Sequence, residues 1–333
     1  MNSPYIIIRG IAVAVIVAII QKVATALPAA GEQQRLQKQR QTTVHDKLLI
    51  PNIVHLIVLD KRPLPRYTYL SILTIFNQIN PVTLYYHCIH NPHGEFWESL
   101  AGSSYSPRIQ VTKVKEPISL FSRPPPSKLA HKSDIVRMDI LQTMGGIYLD
   151  TDIIILRSLD PLRNASLSMG MQTVKNFCNG LILAHKGSPF LRAWLEGFRT
   201  ADFEKCWDCH SVVYPSQLAK NMSNDVNVLP IESFYDPSFS KGDIHELFME
   251  NTRKPPRMRP PYIGMTVWDK VPIPYTKYGQ HLWHSIPVAT RYLRSHSFRD
   301  ICNSTSMYNE MLRYALHGSP FLKSHCPLLS LST

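Results

Sequence analysis

The 333 residues hold no internal repeat, no block of lysines and arginines, and no unbroken apolar run near the ~20 residues that a clean membrane-spanning helix needs. The first absence excludes a repeat array. The second removes the usual footprint of a nucleic-acid-binding protein, so nucleic acid is not expected as a partner. Acids are few: 24 Asp and Glu stand against 36 Lys and Arg, a net charge of +12. The basic residues are spread along the chain, so the charge reads as a solvated surface, with anionic headgroups or other anionic partners as the alternative.

What is present suits a globular α/β protein. Hydrophobic residues make up 44% and aromatics 10% of a chain long enough for one large domain or two small ones. The N-terminal segment is distinct: "IAVAVIVAII" (11–20) follows Arg9 and precedes Ala24-Thr25-Ala26. A basic residue, a short apolar stretch and a small-residue site predict a secretory signal peptide. An uncleaved signal-anchor over 6–26 is the competing reading, with Arg9 and Lys22 inside the span. Both put the remainder in the secretory lumen. Asn164, Asn221 and Asn303 begin N-glycosylation sequons, and the six cysteines fit an oxidising compartment. "CWDCH" (206–210) has no βαβ context and reads as a local disulfide or as two half-cystines with distant partners.

Residues 31–48 are polar and Gln-rich, a stem or linker. Strands are predicted over 50–59, 82–89 and 108–114, a helix over 66–80, and a Pro-rich loop over 117–127. This alternation predicts an α/β fold with a mainly parallel sheet. "KSDIVRMDILQTMGG" (132–146) predicts a helix over 134–144, capped at Ser133 or Asp134 and stopped by Gly145. Asp134 and Arg137 share one face of it, either as an exposed ion pair or facing a cleft.

"GGIYLDTDIII" (145–155) predicts one buried strand over 147–155 with Asp150 and Asp152 on the same face. Two carboxylates in a dry sheet call for a cation. Mg2+ and Mn2+ accept carboxylate and diphosphate oxygens, which suits chemistry in which a diphosphate leaves.

Residues 130–162, "AHKSDIVRMDILQTMGGIYLDTDIIILRSLDPL", closely resemble the DXD sugar-binding region of glycosyltransferase family 32. Weaker likeness runs from Ile50 to about Ser285, through "IPNIVH", "NGLILAHKGSPFL" and "YGQHLWHS". The resemblance implies a Rossmann-like nucleotide-sugar fold of the GT-A type, a divalent metal (Mn2+, or Mg2+) and transfer with retention. It implies catalytic roles for Asp134, Arg137, Asp150 and Asp152. Asp134 and Arg137 would contact the donor sugar, Asp150 would bind hydroxyls and share the metal, and Asp152 would ligate it. Tyr148 would line the nucleotide pocket, and His281 would complete the metal shell, with His284 as runner-up. Asn179 resembles a residue on the acceptor side, or is a turn Asn before Gly180. His55 is nucleotide-facing or a strand-end residue. Many relatives carry a Trp shortly after that histidine, but here "LIVL" follows, which leaves UDP against GDP open.

The expectation is therefore a signal segment (1–30), a stem (31–48), a catalytic domain (49–295) and a C-terminal helical extension (296–333). The protein would move a hexose or N-acetylhexosamine from a nucleotide sugar, UDP-linked by preference, to a glycan or glycolipid. It would act in the Golgi or ER lumen, as a type II membrane protein or a cleaved secretory-pathway protein. The rival is a non-catalytic nucleotide-sugar- or glycan-binding protein on the same fold.

Overall fold

The computed structural model describes residues 48–115, 126–203, 205–249 and 276–327. The expected signal segment, nearly all of the expected stem and most of the Pro-rich loop lie outside them. In chain order the elements are β1 (Ile53–Val58), α1 (Arg66–Gln78), β2 (Thr83–Cys88), α2 (Glu95–Ala101), β3 (Ile109–Lys113) and α3 (Leu129–Met144). Next come β4 (Gly146–Leu149), β5 (Ile153–Ile155), β6 (Leu167–Met171), β7 (Phe177–Ala184), α4 (Pro189–Gly197), α5 (Tyr214–Asn221), β8 (Asn227–Leu229), α6 (Lys241–Phe248) and β9 (Gly279–His281). Four helices close the described chain: α7 (Pro287–Ser295), α8 (Phe298–Asn303), α9 (Met307–Ala315) and α10 (Pro320–His325).

The main sheet runs β3-β2-β1-β4-β7-β6-β8, and β5 pairs with β9 in a separate ribbon. β1 pairs in parallel with both β2 and β4, β2 with β3, and β6 with β8, whereas β7 runs against its neighbours β4 and β6. The sheet is thus mainly parallel, as the strand–helix alternation predicts. After β1 the chain goes to β2 and β3 on one side, then crosses back to β4 on the other. Ligands of open α/β sheets collect at such a switch point, beyond the carboxyl ends of the strands.

Alternation within β4 ties the two faces to two apolar clusters. Ile147 and Leu149 face a cluster with Leu70 and Leu73 of α1 and with Leu312, Leu316 and Phe321 near the C-terminus. Tyr148 faces the other, with Met138 and Leu141 of α3 and Trp194 of α4. Helices α9 and α10 therefore share a core with the sheet.

Two local readings change. Helix α3 begins at Leu129, with Lys128 at its N-cap, rather than at Ser133 or Asp134. Leu129, Ala130 and Lys132 favour helix strongly enough to extend it back toward the Pro-rich loop. The stop is as expected: Gly145 has φ 69° and Gly146 φ 108°. A side chain at Gly145 would meet the Lys186 backbone N at 2.7 Å, so the helix-to-strand corner requires glycine. The predicted strand 147–155 is two strands in two sheets, and Asp150-Thr151-Asp152 is the turn between them. Antiparallel pairing of β5 with β9 draws Ile153–Ile155 out of the main sheet.

Candidate functional site

Asp150 follows β4 at its carboxyl end, and its backbone N–H donates to the Gly180 carbonyl at 2.7 Å, continuing the ladder with β7. Asp152 precedes β5. Because Ile153 pairs with His281, the imidazole is delivered to the same turn. His281 Nε2 stands 3.6 Å from Asp150 Oδ2 and 3.5 Å from Asp152 Oδ1. These separations exceed a good hydrogen bond, and ligand atoms of the three residues all lie within 4.8 Å of one another, as donors around one cation would. The acids meet on a turn, not on one face of a strand.

Charge at this point is strongly organised. Burial alone would raise the Asp152 carboxyl, but His281 and His284 hold it well below the usual carboxylate range. Burial works against charge on His281, and Asp152 together with Asp150 outweighs it, raising the imidazole. His284 is raised likewise, by Asp152 first; its Nδ1 lies 3.2 Å from Asp152 Oδ2 and its ring stacks on Tyr67 at 5.3 Å. Asp150, with 29% of its side chain exposed, is the carboxylate most open to an incoming substrate.

Beneath it lies a buried network. Tyr148 Oη donates to Asp150 Oδ1 at 2.6 Å. The Arg137 guanidinium lies over the Tyr148 ring at 4.3 Å, donates from Nη1 to the Asn179 carbonyl at 2.7 Å, and approaches Asp134 at 3.2 Å and Asp150 at 3.5 Å. Burial disfavours the guanidinium charge, yet Tyr148, Asp134 and Asp150 raise it on balance. Asn179 Nδ2 donates to Asp134 Oδ1 at 2.7 Å. Arg137 is buried, so the pair with Asp134 is not an exposed ion pair. Its fork, however, is spent on protein groups: it joins Asp134 to Asp150 rather than reaching outward.

The sequence-predicted residues divide clearly. Asp134, Arg137, Tyr148, Asp150, Asp152, Asn179 and His281 converge. Tyr148 is buried under Asp150 and Arg137 instead of lining an open pocket. Asn179 sits within β7, not in a turn, because Gly180 continues the pairing to β4. His55 is withdrawn from the donor set: it is buried mid-strand, with Nδ1 2.9 Å from His87 Nε2 and Nε2 donating to the Gly145 carbonyl at 2.9 Å. Burial first, and then His87, push it down to about 4. Trp283 packs edge-on against His281 at 4.2 Å, a core role. The "CWDC" cysteines form the local Cys206–Cys209 disulfide, and Cys302 pairs with Cys326. Cys88 and Cys178 remain buried thiols.

Two contributors escaped the sequence reading. Gly180 leaves room for Asp150: a Cβ there would stand 2.9 Å from Oδ2. His210 is buried with Nε2 3.6 Å from Asp134 Oδ2, and neither ring nitrogen has a hydrogen-bond partner among the described residues. The "NG" dipeptide was a signal for the first; nothing in the local pattern marks the second.

Residues 100–169 match the family model described as a glycosyltransferase sugar-binding region containing a DXD motif. Glucan organizing enzyme 1 of Cryptococcus neoformans var. grubii is 27% identical over 284 residues, covering 80% of this chain and 70% of that protein. Glycosyltransferase afumC of Aspergillus fumigatus is 34% identical over 83 residues, covering 21% of this chain and 21% of that protein. Among solved structures, the galactosyltransferase LgtC with donor and acceptor sugar analogs aligns at 14% identity and TM-score 0.37, covering 73% of this chain and 95% of that one. The matched segment contains α3, β4, β5 and both acids of the D-x-D, so in this region the chain is similar to DXD-containing glycosyltransferases.

Proposed function

We propose that this protein is a glycosyltransferase that moves a hexose or N-acetylhexosamine from a UDP-sugar to a glycan or glycolipid acceptor, with retention at the anomeric carbon. A divalent cation, Mn2+ or Mg2+, would be held by Asp150, Asp152 and His281. The observation that carries this reading is the meeting of two carboxylates and an imidazole from distant segments within 4.8 Å. Carboxylate oxygens with one imidazole suit Mn2+, and the open edge at Asp150 leaves room for diphosphate oxygens. When bound, the cation would neutralise charge on the departing diphosphate. Asp150 would reach sugar or ribose hydroxyls. Asp134 and Asn179 would set the donor-sugar end, and Arg137 would hold Asp134 and Asp150 in register. The UDP preference rests on the family resemblance.

The site of action in this reading is the Golgi or ER lumen, with membrane association through the apolar N-terminal segment or release after cleavage. Two disulfides and the exposure of Asn164, Asn221 and Asn303 support it. Among the described residues no helix is long and apolar enough to cross a membrane, and segment 11–20 lies outside them.

The test is donor turnover by the full chain purified from a secretory cell. UDP-sugars and GDP-sugars are offered with Mn2+ and with EDTA, and nucleotide release is measured. Mn2+-dependent release from a UDP-sugar is expected, and proton NMR of the transferred sugar reads the anomeric configuration. Full turnover in EDTA would remove the metal assignment, and turnover of GDP-sugars alone would remove the UDP assignment.

A further inference from the structure

We propose that Trp207 is a stacking platform for a pyranose ring of the acceptor, at the end of the site away from Asp152. This rests on the glycosyl-transfer reading above. A single exposed aromatic is ordinarily unremarkable. Trp207, 58% exposed, is instead tied down by several contacts. The Cys206–Cys209 disulfide closes its loop, and His131 Nε2 donates to its carbonyl at 3.0 Å. Lys128 Nζ lies 5.0 Å from the indole centroid, and the His131 ring packs against it at 5.0 Å. A large aromatic surface fixed before binding loses little freedom when a ligand covers it.

A chain of contacts joins this platform to the site. His131 meets His210 edge-on at 4.8 Å, and His210 Nε2 is 3.6 Å from Asp134. Asp134 shares Arg137 with Asp150, which in turn adjoins His281 and, through it, Asp152. The diphosphate belongs at the Asp150–Asp152 end and the donor sugar beside Asp134. A ring reaching Trp207 therefore lies beyond the donor sugar, where the acceptor must enter. The chemistry fits a sugar: one pyranose face presents C–H groups that can bury against the indole, while its hydroxyls accept from the Lys128 ammonium.

The experiment uses the full chain and its Trp207→Ala and Trp207→Phe variants, with methyl β-lactoside, methyl α-mannoside and laminaribiose as probes. Binding is followed by saturation-transfer-difference NMR, and donor hydrolysis without acceptor is measured in parallel. At least one probe is expected to bind the native chain, about 10-fold more weakly to the Ala variant, with most of the loss restored in the Phe variant. Donor hydrolysis and melting temperature should not move, since the side chain is exposed and outside the donor end. Equal binding by the native chain and the Ala variant overturns the platform, and so does the absence of binding by the native chain. A native chain without donor hydrolysis would instead sink the transfer reading, so the two failures are distinguishable.

Discussion

The backbone N–H of His284 donates to Asp152 Oδ2 at 2.8 Å across 132 residues of chain. Pairing of β5 with β9 sets this up, for the Leu282 N–H already donates to the Asp152 carbonyl at 2.9 Å. Trp283 then takes φ 56°, which turns the next N–H back toward the carboxylate. A bulky residue adopts that conformation at a cost of roughly 1–3 kcal/mol. Packing of Trp283 against His281, Tyr235 and Phe239 holds it there.

Asp152 is therefore both a fold contact and a candidate ligand, and two substitutions separate these roles. Asp152→Asn keeps the volume and an acceptor for the His284 N–H but is a poor cation ligand. Donor turnover should fall by about 100-fold or more, with only a small change in melting temperature. Asp152→Ala should lose turnover equally and melt lower, while still being secreted. Near-normal turnover by the Asn variant would sink the ligand assignment.

Arg137→Lys keeps the charge but not the planar fork that reaches Asn179, Asp134 and Asp150 together. An exposed pair would be worth under about 1 kcal/mol. Here the group is buried, so a loss of roughly 2 kcal/mol in stability is expected. Donor turnover should drop on the order of 10-fold as Asp150 loosens. Thermal melts beside steady-state kinetics check both; an unchanged melt and unchanged kinetics would show that the planar fork adds nothing beyond its charge.

Gly180→Ala addresses the same carboxylate from the opposite side. The new methyl would meet Asp150 Oδ2 at 2.9 Å, and the side chain rather than the backbone should give way. Turnover should fall about 10-fold or more while the melting temperature barely changes, since a small displacement of a reacting group is costly. A variant as active as the native chain would show that Asp150 has slack.

The His55–His87 pair sets an acid limit on stability. Burial lowers both imidazoles to about 4 from the ordinary 6.5. Both are thus neutral in the folded chain, whereas the unfolded chain binds their protons as pH falls below 6.5. The pair's contribution to stability is complete above that pH and is lost between about 6.5 and 4, by several kcal/mol at ~1.4 kcal/mol per pKa unit. Imidazole proton shifts of these two residues should stay flat from pH 7.5 to 5. A midpoint near 6.5 for either would contradict the buried pair.

The lumenal reading is checked by mass. Expressed in a secretory cell, the chain should lose mass on treatment with an N-glycan-removing enzyme. Replacing Asn164, Asn221 and Asn303 together with Gln should abolish that shift. An unshifted native product would overturn both the compartment and the glycosylation sites.

The sequence by itself determined what rests on neighbours in the chain. The strand–helix alternation, the stop at Gly145 and the choice of Asp150 and Asp152 follow from periodicity, turn chemistry and the cost of placing acids in an apolar run. The tertiary structure alone decided which distant groups meet them. His281 was named by resemblance, but only the pairing of β5 with β9 brings its imidazole to the turn. The same pairing divides the predicted strand 147–155, because a short apolar run does not state which sheet will bury it. Arg137 and His55 carry no local mark of depth; their burial depends on the sheet, α3 and β7 closing around them together. Pairing and burial are set by contacts between segments far apart in sequence, and no window along the chain contains both partners.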